Sequence, residues 1–269
     1  MDVGSTRTKL ALVTGDDLTR LGSFDTGDAG ARGWEARFDA ALAGAGILAS
    51  ISGVAMSSPR RDLPDRLRTR LAAPGGRPVP VAVVGPGAGG LLLDYQPEAL
   101  GPDRIANAVG AVARWGAPVI VADVGTALTC DLVAAGPRFA GGAIAPGPEA
   151  AYQGLIDRVP PLARPGGLRR HGDVPVLPTS TADAVRSGVL RSAGALVDSL
   201  ARSYRRRVGH CPVVVTGGLG SVAARYGDTV TAVDPDLTLR GIHLACTPPA
   251  RRRPDGAVAV GVTAVPGPA

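Results

Sequence analysis

The feature that most constrains this chain is a short turn motif that occurs twice. Asp123-Val-Gly-Thr126 follows an apolar, β-branched run that is typical of a buried strand, and Asp2-Val-Gly-Ser5 stands near the start of the chain. A second apolar run follows each copy, so each copy predicts a tight corner between two strands. One such Asp-Gly turn is explained equally well as a simple hairpin. Two matched copies half a chain apart favour two related halves.

The residue types in this motif suit the binding of a phosphate and its counter-cation. Glycine lets backbone N–H groups approach phosphate oxygens, the Ser or Thr hydroxyl donates to them, and the carboxylate holds the cation that offsets their charge. Lys9 is the only lysine in the chain, and it lies just after the first copy. A contact with a γ-phosphate would explain it, and chance retention on a solvent-exposed face is an equally open explanation.

Composition restricts the class of protein. Apolar residues make up 45% of the 269 residues and aromatic residues only 3%, so we expect a core of Ala, Val and Leu. No stretch reaches the roughly 18 apolar residues of a membrane span, and no export signal is evident. Cys130, Cys211 and Cys246 are widely spaced and indicate neither a disulfide framework nor a metal site. We therefore expect a cytoplasmic protein.

The positive charge raises the question of a nucleic-acid partner. The formal net charge is +6, but every basic residue except Lys9 is an arginine, which is typical of GC-rich coding. The few aromatic residues also leave little to stack on exposed bases. We expect neither nucleic acid nor a membrane as a partner, and a salt-sensitive affinity for DNA or RNA would contradict this.

Periodicity along the rest of the chain predicts alternating strands and helices. The strand before the first turn is almost missing, because only Met1 precedes Asp2; a misassigned start codon or a trimmed sequence would explain this. We predict two domains, at 1–115 and 116–247, and a disordered tail at 248–269. Further strands are predicted at 51–56, 79–84 and 212–216, a loop at 160–178, and helices at 34–48, 62–71, 102–115, 181–204 and 236–244.

Six motifs, taken in their order and spacing, resemble those of the type III pantothenate kinases. The resemblance spans residues 2 to about 245 and implies an α/β fold of the acetate and sugar kinase superfamily. That fold has two actin-like ATPase (ribonuclease H-like) domains with mixed sheets flanked by helices, ATP in a cleft between them, and a homodimeric assembly. The motifs are Asp2-Val-Gly-Ser-Thr6, Gly101-Pro-Asp-Arg104, Asp123-Val-Gly-Thr-Ala-x-Thr-x-Asp131, Gly141-Gly-x-Ile-x-Pro-Gly147, Thr181 before a long helix, and Thr216-Gly-Gly218.

The resemblance also implies the roles of individual residues. Asp103 accepts a proton from the pantothenate hydroxyl, Asp123 binds K⁺ or NH₄⁺, and Asp2 holds Mg²⁺ directly or through water. The implied ATP contacts are Asp2, Val3, Gly4, Ser5, Thr6, Arg7, Thr8, Lys9 and Thr126. The implied pantothenate contacts are Tyr95, Gly101, Pro102, Asp103, Arg104 and Thr181. Tyr95 lies one residue closer to the Gly101 motif than the tyrosine of the family pattern.

The implied activity is the ATP-dependent phosphorylation of pantothenate to 4'-phosphopantothenate, the first step of coenzyme A biosynthesis. Ser5 and Ser180 stand where the family pattern has Asn. On its own, Asp103 is explained better as a favourable charge at a helix N-terminus. A non-catalytic regulator similar to the Bvg accessory factors is the main rival, but it would lack Asp103, Arg104 or Asp123. A sugar or acetate kinase would need a longer chain.

Overall fold

The computed structural model of the chain describes residues 1–27, 33–46, 50–71, 78–163, 168 and 174–247. They form two units. Unit 1 contains residues 1–90, residues 100–110 and the segment that begins at Thr238, and unit 2 contains residues 91–99 and 111–237. The units are therefore interleaved along the chain, whereas the sequence predicted a single division at residue 115. The predicted tail at 248–269 lies outside the described residues.

Strands and helices alternate as the periodicity predicts. The strands are β1 (Asp2–Val3), β2 (Arg7–Thr14), β3 (Asp17–Asp25), β4 (Val54–Met56), β5 (Val81–Val83), β6 (Leu92–Leu93), β7 (Val119–Val124), β8 (Ala127–Ala134), β9 (Arg138–Pro146), β10 (Val213–Thr216) and β11 (Ala232–Val233). The helices are α1 (Gly33–Gly44), α2 (Leu63–Leu71), α3 (Pro102–Trp115), α4 (Pro148–Arg158), α5 (Thr181–Val208), α6 (Gly220–Arg225) and α7 (Leu237–Cys246). Periodicity did not predict β3, β6, β11, α4 or α6.

The two units repeat one strand order. In unit 2 the sheet has the order β11-β10-β7-β8-β9-β6, with β7, β8 and β9 antiparallel and β10 parallel to β7. In unit 1, β1, β2 and β3 are antiparallel, and β4 pairs in parallel with β5. The N–H of Val3 donates to the carbonyl of Ser57 at 2.9 Å, which places β1 beside the end of β4. The expectation of two related halves is confirmed.

The two cores differ in composition. The unit 2 core is aliphatic, as predicted from composition, and packs α5 and α6 on the β7–β8–β10 part of the sheet. The unit 1 core is instead centred on Trp34 and Phe38 of α1, whose rings stack with centroids 5.3 Å apart. Three of the nine aromatic residues, Phe24, Trp34 and Phe38, lie in unit 1, where they pack against one another.

Helix α5 begins as its sequence predicts. The Ser180 hydroxyl accepts the N–H of Asp183 at 3.2 Å and donates to the Asp183 carboxylate at 2.9 Å, which satisfies an otherwise unpaired backbone donor. The apolar side of α5, which includes Ala193, Val197 and Ala201, packs in the unit 2 core. Within the described ranges, no helix combines the length and the hydrophobicity that crossing a bilayer requires.

Candidate active site

The first turn of unit 1 is closed by its own backbone. The N–H of Gly4 donates to the carbonyl of Arg7 at 3.0 Å, and a Cβ at Gly4 would lie only 3.1 Å from that oxygen. The side chains of Ser5, Thr6 and Arg7 are exposed at the corner. Arg7 is held along β3, because its guanidinium donates to the Ser23 hydroxyl at 2.7 Å. The turn therefore presents polar groups to solvent on a closed backbone.

Asp2 and Lys9 face each other across this turn. They are register partners of β1 and β2, and the Lys9 Nζ lies 3.8 Å from the Asp2 Oδ2. Asp2 is only 7% exposed, whereas Lys9 is half-buried. A buried carboxylate beside an ammonium group provides both charges that the phosphates and the cation of a nucleotide require.

Two of the predicted ATP contacts, Val3 and Thr8, have side chains that lie inside the turn. The side chain of Val3 is buried in the unit 1 core, and its N–H is already bonded to Ser57. Thr8 is 0% exposed, and its hydroxyl oxygen is hydrogen-bonded to Trp34 Nε1 at 3.0 Å and to Thr26 Oγ1 at 3.1 Å. These side chains support the turn from inside. Sequence periodicity did not indicate this, because Thr26 and Trp34 are distant in the chain.

In the second turn, in unit 2, the backbone at two glycines packs tightly against the backbone of the turn. A Cβ at Gly217, where φ is +92°, would lie 2.5 Å from both the Asp123 Oδ1 and the Val124 carbonyl. A Cβ at Gly147 would lie 2.0 Å from the Gly125 carbonyl, and the Gly147 N–H donates to the Thr126 carbonyl at 3.0 Å. The backbone atoms that come closest to these glycines belong to the turn itself.

Oxygen-bearing side chains form a row beside Asp123. Thr129 of β8 and Thr216 of β10 are both register partners of Asp123, so the three side chains lie on one face of the sheet. Thr216 is 0% exposed, and within the described part of the chain its hydroxyl has no hydrogen-bond partner. A buried hydroxyl without a partner is costly, so it indicates a site for a bound ion or water. The sequence analysis did not assign this hydroxyl a role.

The Gly101 motif forms the start of α3. The Asp103 carboxylate accepts the N–H of Arg104 at 2.9 Å, and a Cβ at Gly101 would lie 2.5 Å from that carboxylate. Asp103 is exposed, whereas Arg104 is only 5% exposed. Pro102 is the first helical residue, where its missing N–H costs nothing. The motif thus fixes an exposed carboxylate beside a buried guanidinium.

The other predicted contacts lie in unit 2. Tyr95 packs edge-on against Phe139, with ring centroids 5.9 Å apart, and a Cβ at Gly141 would lie 3.9 Å from its ring. Thr126 is exposed at the second turn, and Thr181 is exposed at the first position of α5. The described residues contain no cluster of three or more His, Cys, Asp or Glu side chains arranged to hold a metal ion.

Comparisons with known proteins agree on one family. A family model described as type III pantothenate kinase matches residues 1–203. The chain is 33% identical over 258 residues to a type III pantothenate kinase from Frankia alni, with 91% of this chain and 96% of that protein covered. It is also 33% identical over 249 residues to a type III pantothenate kinase from Thermomicrobium roseum, with 91% and 95% covered.

Solved structures confirm the predicted fold class of mixed sheets flanked by helices in an actin-like ATPase fold. A crystal structure of a Baf family transcriptional activator from Campylobacter jejuni matches with a TM-score of 0.55 and 20% identity, over 90% of this chain and 94% of that chain. The activator of 2-hydroxyisocaproyl-CoA dehydratase from Clostridium difficile, with bound ADPNP, matches with a TM-score of 0.51 and 15% identity, over 91% of each chain. At these identities the likeness concerns the fold alone.

Proposed function

The chain belongs to the type III pantothenate kinase family and uses ATP to phosphorylate pantothenate, and we propose how its residues share this reaction. The observation that carries the proposal is the start of α3, where a backbone N–H fixes the exposed Asp103 carboxylate beside Arg104. The product is 4'-phosphopantothenate, and the reaction is the first step of coenzyme A biosynthesis. A kinase of this kind needs mainly positioning and charge neutralisation.

Asp103 is the group that accepts the proton. As the primary hydroxyl oxygen of pantothenate attacks the γ-phosphorus, the Asp103 carboxylate takes the hydroxyl proton, and the bond from phosphorus to the ADP oxygen breaks. Arg104 binds the pantothenate carboxylate, and its burial strengthens that ion pair because the surroundings have a low dielectric constant. Gly101 and Pro102 complete this segment, with Tyr95 and Thr181 as further pantothenate contacts.

The first turn holds the ATP phosphates. The hydroxyls of Ser5 and Thr6 and the side chains of Arg7 and Lys9 supply donors and positive charge to the phosphate oxygens. Asp2 would hold Mg²⁺ directly or through water, and such an ion neutralises charge on the phosphates. One protein carboxylate suits Mg²⁺ here, because this ion is usually bound by one or two carboxylates together with substrate phosphates.

The second turn holds a monovalent cation, K⁺ or NH₄⁺, at Asp123. The carboxylate would supply the negative charge, and the buried hydroxyl of Thr216, which has no hydrogen-bond partner among the described residues, would supply a neutral oxygen beside it. Oxygen donors of this kind fit K⁺, so the residues present are compatible with the ion. Thr126, exposed at the corner of the same turn, is a further ATP contact.

We also propose a homodimer in the cytoplasm. The side chains of Val176 and Leu177, just before α5, are 73% and 86% exposed, and apolar surface of this kind is typical of an interface. A molar mass measured by light scattering on the purified protein decides the oligomeric state. A single chain in solution at assay concentration would contradict the dimer.

The proposal is tested by ADP release from purified protein with ATP and Mg²⁺, with and without pantothenate. Wild-type protein should release ADP only when pantothenate is present. Asp103→Asn should lower kcat by about 10²–10⁴-fold, the usual contribution of general-base catalysis, and leave both KM values nearly unchanged. Asp65→Asn is a matched control, because Asp65 is an exposed acid in the first turn of α2.

The alternative function is a non-catalytic regulator on the same fold. The likeness to the Baf family activator shows the fold but not the activity, so the assay must decide between the two. No pantothenate-dependent ADP release from well-folded wild-type protein, in either K⁺ or Na⁺, would favour the regulator. Equal turnover of Asp103→Asn and wild type would remove Asp103 from its role as base.

A further inference from the structure

A chain of buried side-chain hydrogen bonds lies beneath the first turn. Trp34 Nε1 is 3.0 Å from the Thr8 hydroxyl oxygen, which is 3.1 Å from the Thr26 hydroxyl oxygen, which is 2.9 Å from the Gly4 carbonyl oxygen. Trp34, Thr8 and Thr26 are at most 4% exposed. The N–H of Thr26 also donates to the Thr6 carbonyl at 2.8 Å, so Thr26 binds two carbonyls of the turn.

The donor of each hydrogen bond in this series can be assigned by elimination. Indole nitrogen is only a donor, so Trp34 donates to the Thr8 oxygen. A carbonyl is only an acceptor, so Thr26 must use its one hydroxyl proton on Gly4. Thr26 therefore accepts from Thr8, and all three bonds run in one direction from the indole to Gly4. Hydrogen bonds that run in one direction strengthen one another.

This series of hydrogen bonds determines the direction of the peptide group between Gly4 and Ser5. The only cis peptide bond among the described residues is at Ala117–Pro118, so the Gly4–Ser5 bond is trans. In a planar trans peptide the N–H points away from the C=O. Because Thr26 holds the Gly4 carbonyl inward, the Ser5 N–H points to the opposite side, where the Ser5 side chain is exposed.

We propose that Thr26, backed by Thr8 and Trp34, is a positioning residue that holds the Ser5 N–H ready to donate to an ATP phosphate oxygen. The inference rests on the proposed binding of ATP phosphates by the first turn. Thr26 touches neither substrate, and it acts through the peptide group. Without its hydroxyl, the peptide can rotate, and ATP binding then includes the cost of ordering it.

The test compares steady-state kinetics of Thr26→Val, Thr26→Ser and Trp34→Phe. Thr26→Val keeps the side-chain shape and removes the hydroxyl, so KM for ATP should rise about five- to tenfold, the equivalent of one buried hydrogen bond. KM for pantothenate should not change, and Thr26→Ser should restore KM for ATP. Trp34→Phe should raise KM for ATP by about two- to threefold, because it removes only the hydrogen bond farthest from Gly4.

Two controls separate the possible failures. Thr19→Val removes an exposed hydroxyl from the same hairpin and should leave both KM values unchanged. Asp2→Asn tests the first turn itself, and unchanged ATP kinetics in that variant would contradict the proposed function. If Asp2→Asn impairs the use of ATP while Thr26→Val lowers only the melting temperature, the first turn binds ATP and the positioning role of Thr26 is wrong.

Discussion

The two glycine turns have the same sequence pattern and the same place in the strand order, but they are held in different ways. The unit 1 turn follows a strand of two residues, β1, and side chains of Thr8 on β2, Thr26 just after β3 and Trp34 on α1 support it from below. The unit 2 turn follows β7, a strand of six residues that pairs on both sides. Its support comes from the backbones at Gly147 and Gly217.

This difference shows that a short strand can be compensated by side-chain hydrogen bonds. Where β7 is long and fully paired, neighbouring backbone fixes the corner, and only glycine fits there. Where β1 is short, the hydroxyl and the N–H of Thr26 hold the carbonyls of the turn instead, and Thr8 and Trp34 back the hydroxyl. The two turns should therefore respond to different substitutions, and this expectation leads to the following predictions.

The largest effect on stability is expected at Gly217. An alanine there would place its Cβ 2.5 Å from the Asp123 carboxylate in a backbone conformation that L residues rarely adopt. Gly217→Ala should reduce the free energy of unfolding by about 2–4 kcal/mol, from overpacking and backbone strain. Gly218→Ala is the matched control, because nothing lies within 4 Å of its Cβ. Equal denaturation midpoints for the two variants would show that glycine backbone does not support this turn.

A smaller, pH-dependent effect on stability is expected at Asp198 of α5, whose carboxylate accepts hydrogen bonds from residues 228–229 of unit 2. Burial alone raises the pKa of Asp198, but hydrogen bonds from the Thr229 hydroxyl and from the N–H groups of Asp228 and Thr229 outweigh it, so the pKa is lowered. A lowered pKa stabilises the fold above the unfolded value of 3.8, and this contribution is lost as pH falls through the folded pKa.

Asp198→Asn should therefore lower the free energy of unfolding by about 1–3 kcal/mol at neutral pH, the usual cost of removing a charged acceptor from buried donors. Denaturation at a series of pH values should show the difference from wild type shrinking below pH 3.8. The hydrogen bonds of Thr26 that support the unit 1 turn involve no charged group. The difference in stability between Thr26→Val and wild type should therefore not shrink at low pH. Asp94→Asn, in an exposed ion pair with Arg138, is the control. A difference independent of pH would contradict the role of the Asp198 charge.

The smallest effect, on the response to K⁺, is expected at Thr216. If its buried hydroxyl contributes to a cation site with Asp123, Thr216→Val should raise the K⁺ concentration for half-maximal activity by about threefold to tenfold, the equivalent of one hydrogen-bond-sized contact. The increase in melting temperature on adding K⁺ should shrink in parallel, which is a readout independent of turnover. Thr129→Val tests the half-buried threonine on the other side of Asp123 in the same row. An unaltered K⁺ response in Thr216→Val would leave that hydroxyl outside the site.

Much of the architecture was predictable because local patterns determine it. Bounded β-branched runs predicted β7 and β10, and helical spacing predicted α5. The matched turns predicted the internal repeat. The support of the turns was not predictable in this way, because Trp34 and Thr26 meet Thr8 only through the fold. Thr8 itself was placed among the ATP contacts, since its position on the inner face of a hairpin is not visible in a motif.

The interleaved units show a second limit of the sequence. Patterns along the chain give a boundary at one point, whereas the chain returns to unit 1 for the first part of α3 and again at α7. Such a return depends on long-range packing, and no composition change marks it. Asp103 and Arg104 lie in one short segment, where a motif is visible in the sequence, whereas the place of Thr216 beside Asp123 depends on the register of β7 and β10, which the sequence does not show.

The most direct test of this account is a matched titration of Asp2→Asn and Asp123→Asn with ATP–Mg²⁺ and with K⁺ in the pantothenate-dependent ADP assay. The account predicts that Asp2→Asn weakens the response to ATP–Mg²⁺ by about tenfold or more while K⁺ activation persists. Asp123→Asn should abolish K⁺ activation in both turnover and melting temperature. Identical profiles for the two variants, or K⁺ activation that survives Asp123→Asn, would contradict the division of roles between the two turns.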